Sequence, residues 1–535
     1  MKGFKKIKTP KLIIIIFLAI LVVYLLPSIS NPNGSFLDSF KNSNNNFCTV
    51  FLRSILFALT NSLFCIIVGL WVAFKISKID FYSSTGKALS ILIVPFLLGS
   101  TSIAFIFKML LLHSNLMGWA YEGSTNLFII LSFIQFWQFG TLFSYLFWLS
   151  IKSIDNNVNQ YAVATKMTKW EYFKDICFPN LRNLIILLTF ICFIFSFYED
   201  VKISLIFRVS EGLNTELISH WISRNYQSDI LIGYNYALQK ISQVSLDSLF
   251  VVSVTFIFYG LLITMINRNL NRIQIPFFNN RLWKNKSSKF TFISLVLFIF
   301  VSVPLIIVFL TNKINFERID FLIIPLTLSV LGAILATSVA VVFSFFTRLI
   351  NFEKMGSFNF FSFFFLMCLF IILLIPPIEI MLGGFEWMSY FNFKGFYASV
   401  LFWLIGHTFL SLPILGSFLM VTNFKITSNE LNYCKIYNVS RKDIFKINFL
   451  KKFKAEYLLT FLFAYTIILN EGLLNNVFSD NIPSFVSVLN DSISSKNADY
   501  SLSMLFFLVS IFVALISVGI WLRSIKKYQN EKIIA

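Results

Sequence analysis

Between two strongly apolar runs, residues 161–179 read YAVATKMTKWEYFKDICFP and carry Lys166, Lys169, Glu171, Lys174 and Asp175. The chain is 57% hydrophobic and only 13% charged, so a folded polar segment at this place needs a reason. A second one exists. Residues 433–451, YCKIYNVSRKDIFKINFLK, also follow and precede apolar runs. An offset of 272 residues pairs Thr168 with Ser440, Lys169 with Arg441, Glu171 with Asp443, Phe173 with Phe445 and Lys174 with Lys446. The same offset pairs Phe74 with Phe346 and Glu199 with Glu471. Self-similarity at one fixed offset predicts a chain built twice.

Outward from these segments, apolar runs of about 17–25 residues recur, long enough to cross a hydrocarbon core of roughly 30 Å. They predict spans at 12–27, 52–75, 88–112, 126–150, 182–201, 244–266, 290–311, 323–346, 359–384, 396–421, 455–473 and 501–522. The expected fold class is an all-α polytopic membrane protein of about 12 transmembrane helices. Six spans return the chain to its starting side, so the two six-helix repeats are parallel, with a pseudo-twofold axis along the membrane normal. Residues 1–266 form the first half, 267–289 a cytoplasmic linker and 290–535 the second half. The polar loops are 152–181 and 422–454.

The net charge is +19, but its distribution decides what it means. With the amino terminus inside, 33 of the 44 Lys and Arg residues fall on the inner side and nine outside. This is the positive-inside pattern, so the basic excess orients the protein and does not mark a nucleic-acid groove. Both termini are expected in the cytoplasm. The start, MKGFKKIKTPKLIIIIFLAILVVYLL, is expected to be a retained first span because no small-x-small cleavage site follows it. The six cysteines have no zinc-site spacing and the three histidines are scattered, so no metal site is expected on this chain.

Each polar segment reads as two short helices with a break. Asp155 and Thr427 are amino-terminal caps, and Thr427 has Glu430 three residues on. Thr168-Lys169-Trp170-Glu171 has the capping-box form, and Ser440-Arg441-Lys442-Asp443 is its near equivalent. The second helix then places Trp170, Phe173 and Cys177 on one face, and Ile444, Phe445, Asn448 and Phe449 in the other copy. An amphipathic connector at the lipid headgroups would explain one copy. Two copies of this length, where a few residues suffice to join spans, point instead to two equivalent docking sites on the inner side.

The two segments resemble the EAA loop of ABC importer permeases, which runs Glu-Ala-Ala, three residues, Gly, then an aromatic helix ending in Leu-Pro. Gln160, Tyr161 and Ala162 fall at the Glu-Ala-Ala positions and Lys166 at the glycine. Trp170, Phe173 and Phe178-Pro179 fall where the family has Trp, Phe and Leu-Pro. In the second copy Asn432, Tyr433 and Cys434 take the first three positions, Asn438 the glycine and Phe445 the aromatic, while Lys451 replaces the proline. RSILFALTNSLFCIIVGLWVAF (53–74) looks like the family's second span. Pro95 and Pro376-Pro377 sit where its third span carries proline, and HTFLSLP (407–413) resembles its fourth. One chain with two such halves is similar to the fused permeases of ferric-iron and thiamine importers.

The resemblance implies a bacterial inner-membrane subunit, not itself an enzyme, that docks two copies of a cytoplasmic ABC ATPase. ATP and Mg would bind those partners and no cofactor this chain. It also implies an extracytoplasmic substrate-binding protein. The coupling residues it assigns are Ala162, Thr168, Trp170, Glu171, Phe173, Pro179, Asn438, Ser440, Asp443 and Phe445. The chain has no Gly-x-x-x-x-Gly-Lys-[Ser/Thr]; Gly86-Lys87 is followed by Ala88. Ferric iron is the expected substrate, with thiamine and polyamines as alternatives, since YEDVKISLIF (198–207) resembles a span of polyamine permeases. A secondary transporter of the major-facilitator type is the alternative class. It predicts a basic Gly-Asp-Arg loop after span two, where this chain has KISKIDFYSSTGK (75–87).

Acidic residues in or near a span are costly and mark candidate sites. Glu199 and Asp200 are expected near the outer end of span five, and Glu471 at the matching point of span eleven, facing Glu199 across the central axis. Glu379 is a third candidate for the translocation path. Glu199 has two readings here: a residue of the path, or a local partner of Lys202. His407 reads as a helix-packing residue.

Overall fold

A computed structural model describes residues 47–77, 79–81, 83–152, 154, 158, 161–162, 164–199, 202–203, 206, 217, 292–311, 320–353, 384, 387–388, 390–391, 395–423, 433–434, 436–437, 439–446, 450, 454–470 and 501–534. All regular structure among the described residues is helical. Five helices are long and apolar enough to cross a membrane, or up to seven if each of two bent pairs counts as one span. The chain is therefore a helical membrane protein. The expected first, sixth and ninth spans lie outside the described residues.

We label the long helices α1 (Phe47–Ile76), α2 (Gly99–His113), α3 (Ser124–Lys152), α4 (Phe178–Phe197), α5 (Phe292–Thr311), α6 (Asp320–Glu353), α7 (Phe396–Asn423), α8 (Lys454–Asn470) and α9 (Ser501–Ile534). The chain divides into two compact units. One holds α1–α5 with α9; the other holds α6–α8.

In the first unit α1 is central. Its rings meet α3 in parallel order, Phe57 against Phe128 at 5.4 Å and Phe64 against Phe136 at 5.3 Å. Against α4 the order is reversed: Phe51 meets Phe197 at 6.1 Å, while Phe74 meets Phe173, just before α4, at 6.0 Å. Two helices of the second sequence half complete this unit. Trp137 of α3 donates its indole N–H to the Phe300 carbonyl of α5 at 3.1 Å. Ser102 of α2 hydrogen-bonds Ser510 of α9 at 3.1 Å, and the Trp521 indole donates to the Tyr145 hydroxyl at 3.2 Å. Tryptophan and tyrosine bury large apolar rings, and these bonds satisfy their polar ends.

The expected third span, 88–112, is not one straight helix. Residues Ser84–Leu97 and Gly99–His113 meet at 96°. Pro95 has no amide to donate, and Gly99 at φ +73° adopts a backbone that L side chains rarely take. The expected fifth span also differs. It bends by 59° between Tyr172–Arg182 and Leu184–Phe197, and α4 ends at Phe197, before Glu199. Span four contains a π-helical turn, Phe136–Gly140.

In the second unit α6 packs on α7 and α8. A Cβ at Gly332 of α6 would lie 3.2 Å from Ile468 of α8 and 3.5 Å from Trp403 of α7, so the three helices close tightly there. Trp403 also covers His407, whose ring lies 4.1 Å away and is buried. This agrees with the packing role expected for that histidine.

Candidate functional site: two capped segments and a buried ion pair

The first polar segment is held by three consecutive local devices. A helical turn closes with the Thr165 amide donating to the Tyr161 carbonyl (2.9 Å) and the Met167 amide reaching back to the Ala162 carbonyl (3.1 Å). A bond spanning five residues around a left-handed residue is the Schellman form of helix end. That residue is Lys166, at φ +50°. Lysine thus takes a backbone that favours glycine, at a cost of about 1–2 kcal/mol.

The capping box comes next. The Glu171 amide donates to the Thr168 hydroxyl at 3.2 Å, and the Glu171 carboxylate accepts from the Thr168 amide at 2.7 Å. Hydrogen bonds to the carboxylate from the Thr168 amide, and then from its side chain, hold the Glu171 carboxyl below the usual carboxylate range. The Tyr172 amide then donates to the Thr168 carbonyl at 2.9 Å.

The second segment repeats these bonds 272 residues on. The Tyr437 amide donates to Tyr433 (3.0 Å), the Val439 amide to Cys434 (2.9 Å) and the Ile444 amide to Ser440 (2.9 Å). The Asp443 amide donates to the Ser440 hydroxyl at 3.2 Å. One bond changes. Aspartate is a methylene shorter than glutamate, and Asp443 accepts from the Ser440 hydroxyl at 2.6 Å.

Each segment is anchored by one ring to the end of a long helix. Phe173 meets Phe74 of α1 at 6.0 Å, and Phe445 meets Phe345 of α6 at 4.9 Å. The sequence offset pairs Phe74 with Phe346, so the anchoring ring in the second unit stands one position earlier. The expected face of Trp170, Phe173 and Cys177 is corrected too. The stretch Tyr172–Cys177 is a π-helix, not an α-helix, and its wider turn sends Cys177 inward and leaves Trp170 out. Trp170 is 69% exposed and stacks on Phe173 at 5.9 Å. Ala162 is buried beneath Tyr161, which is 60% exposed. Pro179 is the second residue of α4, directly after the π-helical turn.

The second segment carries a further exposed stripe, Tyr433, Ile436 and Tyr437, at 61%, 69% and 74% exposure, whose sequence signal is an i, i+3, i+4 spacing. Asp155, Thr427, Asn438, Asn448, Phe449 and Lys451 lie outside the described residues.

The acidic candidates separate. Asp200, Glu379 and Glu471 lie outside the described residues, so the expected facing of Glu199 and Glu471 is not described. Glu199 is buried and fully engaged. It accepts from Gln135 Nε2 of α3 at 2.8 Å and from the Lys202 amide at 3.0 Å, and it forms an ion pair with the Lys202 ammonium. Lys202 Nζ also donates to Gln135 Oε1 at 3.1 Å. Of the two readings of Glu199, the local pairing is present. Gln135 was missed; its signal was an amide in the middle of an apolar run. Among the described residues, no three His, Cys, Asp or Glu side chains converge to hold a metal ion.

Comparison with known proteins returned no matching family model, no matching curated protein and no matching solved structure.

Proposed function

We propose that this chain is the membrane subunit of an ATP-driven importer, with residues 155–179 and 427–451 coupling it to separate ATPase subunits. The observation that carries this reading is that the two segments share their backbone closing bonds and the amide-to-hydroxyl cap bond. Each has a five-residue closing bond, a hydroxyl cap and a ring anchored on a long membrane helix. A headgroup connector has no need of the same rigid geometry twice. A pair of identical motor subunits does.

The exposed Trp170, Tyr161, Tyr433, Ile436 and Tyr437 support the same reading. Large rings left outside the bundle on rigid turns suit the cleft of a protein partner. The ATPases would bring ATP and Mg, a substrate-binding protein would deliver cargo on the outer face, and the bacterial inner membrane would house the complex. Ferric iron is the substrate we propose, on the resemblance to fused permeases alone.

Co-reconstitution in proteoliposomes with candidate ATPases and binding proteins from the same genome tests the proposal. ATP-dependent accumulation of ferric iron supports it. Accumulation driven by a proton or sodium gradient, with no ATPase required, would replace it with a secondary transporter.

A further inference from the structure

We propose that Glu199, Lys202 and Gln135 form a latch across a break in the fifth membrane segment, closed in this structure and opened to water during transport. The inference rests on the permease reading and adds where the membrane path is shut.

Four observations carry it. First, α4 ends at Phe197, and the Tyr198 amide folds back onto the Ile194 carbonyl at 3.0 Å. Tyr198 and Glu199 are not helical whereas Lys202 and Ile203 are, so the helical backbone is interrupted at Tyr198 and Glu199. Second, the interruption is tied to the bundle. Its partner Gln135 lies within the 29-residue helix Ser124–Lys152, and the Gln135 side-chain amide reaches the Glu199 carboxylate. Interrupted membrane helices are tolerated where they line a cavity or carry function.

Third, the network is dry and complete. Gln135 and Lys202 are fully buried and Glu199 is 5% exposed. The carboxylate takes three donors, the Lys202 amide and ammonium from beyond the break and the Gln135 amide from α3. Fourth, its charge sums to zero. A buried ion pair adds little over apolar side chains of the same size, so stability alone does not account for it. Once water enters, both charges are solvated and the pair separates at low cost. Such a contact has two acceptable states, dry and shut or wet and open. Glu199 is accordingly no vacant cation ligand in the shut state, because Lys202 occupies it.

The test uses a thiol at the break, Tyr198→Cys, in a chain with Cys48→Ser, which removes the one cysteine expected near the outer face. Intact cells are treated with a membrane-impermeant methanethiosulfonate. Slow modification is expected. Adding Glu199→Gln alone leaves the Lys202 ammonium buried without its counter-charge, which favours the wet state, and is expected to speed modification at least about tenfold. Gln135→Leu, which cuts only the α3 arm, is expected to give a smaller increase. Unchanged rates in variants that reach the membrane in normal amounts would overturn the latch. If Glu199→Gln fails to accumulate, Gln135→Leu decides alone, and an unchanged rate there overturns it. No ATPase takes part, so failure here is distinct from failure of the permease reading.

Discussion

The ring of Phe173 stands edge-on to the ring of Phe74, 6.0 Å between centroids at 87°. Phe74 is on α1, which crosses the membrane, and Phe173 is on the polar segment outside it. The contact joins the polar segment to the bundle. Phe445 and Phe345 make the equivalent contact at 4.9 Å.

Truncating either partner should loosen the segment without unfolding the bundle. Phe74→Ala and Phe173→Ala are each expected to abolish most transport while membrane levels stay near normal. In a double-mutant cycle the two should couple by about 0.5–1.5 kcal/mol. Thermal unfolding of the purified variants measures the coupling. Strict additivity would remove Phe74 from the route.

Lys166 bears a left-handed backbone without a glycine's freedom. Lys166→Gly is expected to stabilise the segment by about 0.5–1 kcal/mol, and Lys166→Val to destabilise it by at least about 1 kcal/mol. Hydrogen exchange at 161–168 reads both. Slower exchange in the valine variant would mean that the turn is not left-handed in the membrane.

The Glu171 cap gives a pH dependence with a definite sign. Hydrogen bonds from the Thr168 amide, and then its side chain, depress the Glu171 carboxyl. Its contribution is therefore complete above the unfolded carboxylate range and is lost as pH falls through the depressed value. Exchange protection at 168–172, corrected for intrinsic rates, should fall on acidification in the native chain. In Glu171→Gln it should start lower and change little. Matching profiles in the two chains would contradict the cap.

The thiols of Cys65 on α1 and Cys192 on α4 lie beside each other, and both are buried. Mercuric ion, which prefers two thiolates in line, should bridge them within one chain. Proteolysis between α1 and α4 would then leave the two fragments joined, and Cys192→Ala should free them. Separate fragments in the native chain would show that α1 and α4 do not pack in this register.

Much of this arrangement was legible in the residues. Thr168 with Glu171, and Ser440 with Asp443, announced two caps because the cap chemistry is local and needs only three residues. The apolar runs announced α1, α3, α5, α6 and α9, the five helices long and apolar enough to cross a membrane, because their length is set by the bilayer. The failures have a common physical cause. Phe and Ile surround the helices on all faces, so periodicity could not show the π-turns at Phe136–Gly140 and Tyr172–Cys177, which move side chains such as Cys177 from face to face. The 96° break after Leu98 needed Pro95 and Gly99 read together. The packing of α5 and α9 on α1–α4 depends on contacts such as Trp521 with Tyr145, 376 residues apart in sequence. Gln135 was silent because nothing local tells an amide in an apolar run what it will meet.

The most direct measurement is co-purification of this chain with its ATPase, with and without Trp170→Ala, Glu171→Lys, Asp443→Lys and Phe445→Ala combined. The account predicts two ATPase copies per native chain, loss of both from a variant that still folds and reaches the membrane, and loss of ATP-dependent uptake with them. A variant that keeps its ATPases and transports at the native rate would contradict the claim that these two segments are the coupling sites.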